Sequence, residues 1–195
     1  LSDEPDPSHN RRRGKQRRCR FCIRNNGDGV GSAETLWHSG DPTPEDVLSA
    51  VRAFDFTGYS EVIFCGYGEP LCALDTLLAT ARYIRETLGL KIRVNTNGLG
   101  DLINGRPTAA LLADCVDTVS ISLNAPTREK YADITRPSFG EDAFEAMLRF
   151  ARDCKQCIPS VKLTVVDVIP PEDIEACRKL AAELDIPLRV REYTP

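Results

Sequence analysis

Glu61-Val62-Ile63-Phe64-Cys65-Gly66-Tyr67-Gly68-Glu69-Pro70 is an apolar run that stops abruptly at a glycine-rich loop. Five residues rich in β-branched and aromatic side chains read as a buried strand, and the two glycines and the proline end it. Immediately downstream, Leu74, Leu77, Leu78, Ala81, Ile84 and Leu88 recur at helical spacing until Gly89 stops the helix. The same strand-then-helix phrase repeats. Lys91-Ile92-Arg93-Val94-Asn95-Thr96 is a second strand closed by Asn97-Gly98, and residues 117–123 form a β-branched third. A short helix around 111–113 separates those two. A helix over about 140–153 carries Phe144, Met147, Leu148 and Ala151 as its core stripe, and 161–166 is a strand. Pro171 opens a helix with Ile174, Cys177, Leu180 and Leu184, and 188–191 forms the last strand. Upstream, Thr43-Pro44-Glu45-Asp46 supplies a capping hydroxyl, a first-turn proline and early acids ahead of Val47, Leu48, Val51 and Phe54. The order αβαβαβαβ implies an α/β fold with a parallel sheet whose crossovers lie outside it.

A chain of 195 residues accommodates one such domain. No apolar run approaches the roughly 20 residues of a membrane span. The N-terminal segment lacks an apolar core, so it does not read as a secretory signal. The eight cysteines are therefore expected in a reducing cytoplasm, free to bind metal. Charge is unevenly placed: residues 1–24 hold eight basic and three acidic residues, the remainder 17 and 26, giving +5 and −9. The run Arg11-Arg12-Arg13-Gly14-Lys15-Gln16-Arg17-Arg18 reads as a solvated, disordered basic arm over 1–18, with the domain over 19–195. No aromatic residues interleave it and no second basic stripe is evident, which weighs against a nucleic-acid partner.

In a parallel β/α fold, ligands gather at the carboxyl ends of the strands, where the βα loops converge. Gly66-Tyr67-Gly68-Glu69-Pro70, Asn95-Thr96-Asn97-Gly98 and Ser122-Leu123-Asn124-Ala125-Pro126 each follow a strand and share that rim. Glycines permit close approach to a ligand, Glu69 can hold an ammonium group, and Asn97, Ser122 and Asn124 offer neutral donors and acceptors. Each loop alone also reads as an ordinary turn. Cys19-Arg20-Phe21-Cys22 is a CxxC that suits half a zinc site, a redox pair or part of an iron–sulfur site. Cys154-Lys155-Gln156-Cys157 could complete a zinc site, but it lies at a helix end facing the opposite rim. Cys65, Cys72, Cys115 and Cys177 read as small buried hydrophobes. With only His9 and His38 present, no Ser/His/Asp triad forms and a hydrolase is not supported.

Taken in order, Cys-x-Phe-Cys, a strand with Gly-Tyr-Gly-Glu-Pro, Asn-Thr-Asn-Gly and Ser-Leu-Asn-Ala-Pro resemble the motif set of radical S-adenosylmethionine (SAM) enzymes. Phe64 to Leu71, together with Tyr131-Ala132-Asp133-Ile134-Thr135-Arg136-Pro137, resembles the TatD-associated radical SAM proteins within them. The resemblance implies a partial (β/α)6-type TIM barrel and a [4Fe–4S] cluster on which SAM is cleaved by one electron to a 5′-deoxyadenosyl radical that abstracts hydrogen from a substrate. Carried over by position, Cys19 and Cys22 would ligate iron and Phe21 would pack beside adenine. Tyr67, Gly68 and Glu69 would hold the methionyl amino group, and Asn97, Ser122 and Asn124 the ribose or methionyl end. The class is that of an oxidoreductase, with an electron donor such as flavodoxin or ferredoxin as partner. The family pattern is Cys-x3-Cys-x2-Cys, and Lys15 stands where its first cysteine belongs. No strand precedes the motif either, so the first strand reads as missing or altered. Two other readings follow from these features: a cluster-deficient relic, or a zinc- or RNA-binding module using the arm and both CxxC pairs.

Overall fold

The structure is a computed structural model that describes residues 19–25, 27, 40, 42–66 and 68–193. The basic arm with Lys15, both histidines and Tyr67 lie outside the described residues. Five strands form one sheet: β1 (Glu61–Phe64), β2 (Lys91–Thr96), β3 (Thr118–Ser122), β4 (Ser160–Val166) and β5 (Leu188–Arg191). Their spatial order is their chain order, and every neighbouring pair is parallel. Parallel crossovers are right-handed almost without exception, so a sheet laid down in sequence carries its helices on a single face. A doubly wound sheet would reverse direction partway.

The strands alternate accordingly. Ile92, Val94 and Thr96 of β2, Val119 and Ile121 of β3, and Val161, Leu163 and Val165 of β4 are buried against the helices. Opposite them stand Arg93, Asn95, Thr118, Ser120, Ser122, Lys162, Arg189 and Arg191, so the face turned away from the helices is polar. β1 departs from the buried strand read in the sequence: Ile63 is 44% exposed, because the register sets it beside Arg93 on the face turned away from the helices.

Helix α1 (Pro44–Ala53) starts on the Thr43 capping box: Asp46 N donates to Thr43 Oγ1 (3.2 Å) and Thr43 N to the Asp46 carboxylate (2.8 Å). It buries none of its residues fully, and Phe54, expected on its core face, is 53% exposed in an aromatic cluster with Phe56 and Tyr59. A 3₁₀ turn (Pro70–Ala73) leads into α2 (Leu74–Tyr83), whose Leu74, Leu77, Leu78 and Ala81 are buried. A π-helical turn (Ile84–Leu88) extends it to Gly89 at φ 66°. Helices α3 (Gly100–Asn104) and α4 (Ala109–Ala113) bridge β2 and β3. Then follow α5 (Arg128–Thr135), α6 (Asp142–Cys157) and α7 (Pro171–Glu183). The α6 stripe of Phe144, Met147, Leu148 and Ala151 is buried as its spacing predicts, each large apolar side chain contributing about 1.5–3 kcal/mol. Helices α3 and α5 were not read from the sequence. Both are short, and α5 has few apolar positions to mark a face.

Candidate active site at the carboxyl rim

The Cys19–Cys22 turn is the entry point. Cys22 N donates to Cys19 O (3.1 Å) and Asn25 N to Cys22 O (2.8 Å), while the Asn25 side-chain amide donates to Arg20 O (3.2 Å). The chain thus curls so that both cysteines face one cavity. What anchors this turn is the end of α5. A helix leaves its last carbonyls without intrahelical donors, and here Arg20 supplies them: its backbone N donates to Ile134 O (2.9 Å) and its Nε to Asp133 O (3.2 Å). Its guanidinium also pairs with the Asp133 carboxylate. Arg20 therefore serves the carbonyls at the C-terminal end of α5, beside its C-cap residue Arg136.

Glu69 ties the β1 and β2 loops together. Its Oε1 accepts from Leu71 N (3.1 Å) and Thr96 Oγ1 (2.7 Å), and its Oε2 from Asn97 N (2.7 Å). Burial pushes the Glu69 carboxyl above its ordinary range, against the pull of these hydrogen bonds. A carboxylate offers about four acceptor positions, so three are committed to the protein and one is left. Asn97 Oδ1 accepts from Leu99 N (2.8 Å), and Gly98 follows at φ 76°, where a Cβ would stand 2.8 Å from both Ile121 Cγ2 and Met147 Cγ. Gly98 is thus fixed by packing. Gly68 is not: a Cβ there would meet no protein atom within 4 Å.

Beyond β3, Asn124 adopts φ 58°, a left-handed conformation that costs a side-chain-bearing residue about 1 kcal/mol or more. It is 5% exposed, and its Oδ1 is buried with no hydrogen-bond partner among the described residues. Leaving an acceptor unsatisfied costs about 1–3 kcal/mol. A strained backbone and an orphaned oxygen at one residue mark a position held ready for a ligand donor.

Around these groups lies a cavity of 440 Å³ lined by Cys19, Phe21, Cys22, Gly66, Asn97, Ser122 and Asn124, with Tyr131, Val166 and Arg191 among its other walls. Six of the sequence-derived site residues therefore meet in one place. Gly68 and Glu69 do not line it; Glu69 acts as a strut behind the wall. Tyr131, Val166 and Arg191 were missed. Val166 and Arg191 end β4 and β5, where the rim rule applied to β1–β3 would have found them.

Burial, then the neighbouring Cys22, push the Cys19 thiol up to about 11. Burial also raises the Tyr131 phenol, with Cys19 and Glu69 as further negative neighbours that place it between the cysteine turn and the glutamate strut. Cys154 and Cys157 close α6 ahead of β4, at the opposite rim, the first buried and the second exposed. Among the described residues no three His, Cys, Asp or Glu side chains group to hold a metal. The two CxxC pairs do not form one zinc site, and neither Cys65 nor Cys72 joins Cys19 and Cys22. Cys65 is exposed and Cys72 half-buried, against the buried reading, because both sit on the rim loops rather than beneath the sheet.

The cavity thus offers two thiols, an orphaned amide oxygen and an aromatic side wall, a donor set that fits a polar cofactor bearing a metal-binding end. Residues 14–184 match the Radical SAM superfamily. Among curated proteins, the probable dual-specificity RNA methyltransferase RlmN of Prochlorococcus marinus (strain MIT 9303) is 30% identical over 142 residues, 70% of this chain and 37% of that protein. Among solved structures, Streptococcus suis SuiB bound to S-adenosylmethionine superposes with a TM-score of 0.62 at 17% identity, over 91% of this chain and 36% of that one. Methylornithine synthase (PylB) gives 0.61 at 17% identity, over 91% and 50%. At that identity the two structures speak to the fold alone, and the chain spans half or less of the length of each of these relatives.

Proposed function

This chain belongs to the radical SAM superfamily, whose members use a [4Fe–4S] cluster and SAM, and we propose that its rim cavity is the SAM site of a radical SAM domain spanning 19–195. The observation that carries the reading is the convergence of Cys19, Cys22 and the orphaned Asn124 on one cavity at the carboxyl end of a sequentially ordered parallel sheet. On this reading the sheet is the wall of a partial (β/α)6-type barrel, five strands of which lie among the described residues. When bound, the reduced cluster and SAM together supply a one-electron cleavage that yields methionine and a 5′-deoxyadenosyl radical for hydrogen abstraction.

The chain's own residues have distinct tasks. Cys19 and Cys22 would hold iron as thiolates, and because burial raises the Cys19 thiol, metal binding would have to offset the cost of its deprotonation. Arg20 fixes their turn against α5. Asn124 Oδ1 would accept a hydrogen bond from the ammonium or a ribose hydroxyl of SAM, Ser122 and Asn97 would contact the same molecule, and Phe21 would pack beside its adenine. The resemblance assigns the methionyl amino group to Tyr67, Gly68 and Glu69; Glu69, behind the cavity wall, would reach it only through its one remaining acceptor position. The residues present supply two thiolates; Lys15 stands where the first of the family's three cysteines belongs, and an ammonium does not ligate iron. That substitution favours a second reading, a cluster-deficient relative that keeps the SAM pocket. Phe64 to Leu71 and Tyr131 to Pro137 support the TatD-associated subgroup. A flavodoxin or ferredoxin donor and a cytoplasmic setting follow the family chemistry, and no described helix is long and apolar enough to cross a membrane.

Equilibrium dialysis of labelled SAM against anaerobically reconstituted protein tests the reading. Saturable binding lost in Asn124→Ala supports it; binding absent from the parent chain, or unaffected by the substitution, overturns it.

A further inference from the structure

Below the cavity, the polar face of the sheet continues down β4 and β5. Register places Thr164 beside Arg189 and Val166 beside Arg191, so Lys162, Arg189 and Arg191 share the face that Ser122, Val166 and Arg191 present to the cavity. Arg189 and Arg191 are two residues apart, about 6.6 Å along a strand. Lys162 sits one strand over, two residues before Thr164.

These three cations differ from ten others among the described residues. Arg20, Arg52, Arg82, Arg85, Arg93, Arg106, Arg128, Lys130, Lys155 and Arg178 each pair with a carboxylate. Lys162, Arg189 and Arg191 enter no ion pair among the described residues. The carboxylate on this face, Glu61 on β1, is held by Arg93 at 2.7 Å. The remaining groups of β3 on the face, Thr118, Ser120 and Ser122, are neutral. Partial desolvation, then the proximity of Arg189, pulls the Arg191 guanidinium below its ordinary range. Three like charges are thus gathered on the floor beneath the cavity, and among the described residues no carboxylate pairs with any of them.

We propose that this floor anchors the substrate, with Lys162, Arg189 and Arg191 binding the phosphate of a phosphorylated molecule whose reacting carbon extends up into the cavity. The proposal deepens the SAM reading by naming the substrate class of the same site. Forked guanidinium donors match phosphate oxygens, and an ammonium adds a point charge beside them. A single carboxylate would neutralise one cation of three; a phosphate ester or a run of phosphodiesters neutralises more, which favours phosphate as the anion.

The test is equilibrium dialysis of the full chain, anaerobically reconstituted, against labelled inorganic pyrophosphate at low salt, with SAM binding measured on the same samples. The doubly substituted Lys162→Gln/Arg189→Gln protein should bind pyrophosphate at least about tenfold more weakly, with SAM binding within about twofold of the parent's. Arg189→Lys, which keeps the charge, should retain most of the affinity, and succinate at equal concentration should not displace the probe. Pyrophosphate affinity that is the same with and without Lys162 and Arg189 overturns the proposal while leaving SAM binding to stand or fall separately. Equal displacement by succinate overturns the phosphate assignment. Pyrophosphate binding that depends on these residues in protein that binds no SAM supports the floor and sinks the SAM reading alone.

Discussion

Arg20→Ala should release the cysteine turn from α5 without unfolding the domain. The substitution deletes the bond from Nε to Asp133 O and the ion pair to the Asp133 carboxylate, but keeps the backbone bond from residue 20 to Ile134 O. The pair is solvent-screened, with 53% and 62% of the two side chains exposed, so it contributes about 0.2–1 kcal/mol. The bond to the helix carbonyl adds about 0.5–1.5 kcal/mol. Together they amount to roughly 1–2 kcal/mol, which corresponds to a five- to thirty-fold rise in the undocked population. Native-state alkylation of the metal-free protein reads this directly, because docked Cys19 is protonated and shielded while undocked Cys19 behaves as a free thiol. Modification of Cys19 should accelerate about five- to thirty-fold in Arg20→Ala and less in Arg20→Lys, while the exposed Cys157 reacts at its parent rate. A Cys19 rate unchanged by Arg20→Ala would refute the claim that this residue positions the turn.

Asn124→Gly relieves the left-handed strain and removes the orphaned oxygen, so the melting temperature should rise, by about 1 kcal/mol equivalent, while SAM affinity in dialysis falls; a loss of both would contradict the reading of Asn124 as a ligand group. Gly98→Ala combines a φ of 76° with contacts of 2.8 Å to Ile121 and Met147, and thermal denaturation should show a loss of about 2–4 kcal/mol. Because the Cys19 thiol is raised from about 9 to about 11 in the fold, its contribution to stability is intact below pH 9 and is lost as pH rises toward 11. Urea titrations across that window should show a smaller alkaline loss in Cys19→Ser than in the parent chain.

The parallel alternation and the rim were legible in the sequence because β-branched runs and helical stripes have distinct periods, and because ligand loops in such folds follow strands. The strand-end rule points to Asn97, Ser122 and Asn124, whereas Cys19, Phe21 and Cys22 follow no strand and are reached through the resemblance of the motif set; the fold brings all six to one cavity. The role of Glu69 was not legible: its three hydrogen bonds come from Leu71, Thr96 and Asn97, and the last two lie more than 25 residues away, so only the folded chain reveals a strut. Arg20 was passed over because nothing local distinguishes a helix cap supplied from 113 residues upstream. The unpaired cations of β4 and β5 escaped notice for a related reason. Lys162, Arg189 and Arg191 are scattered in sequence, and only strand register gathers them on one face.

Iron and acid-labile sulfide, measured with a visible spectrum after anaerobic reconstitution with and without SAM, address the central assignment most directly when Lys15→Cys is compared with Lys15→Cys/Cys19→Ser. Roughly four irons and a SAM-dependent spectral change in the first protein, both lost in the second, are what the account predicts. Equal iron in the two proteins, or none in either, would contradict the assignment of Cys19 and Cys22 as cluster ligands.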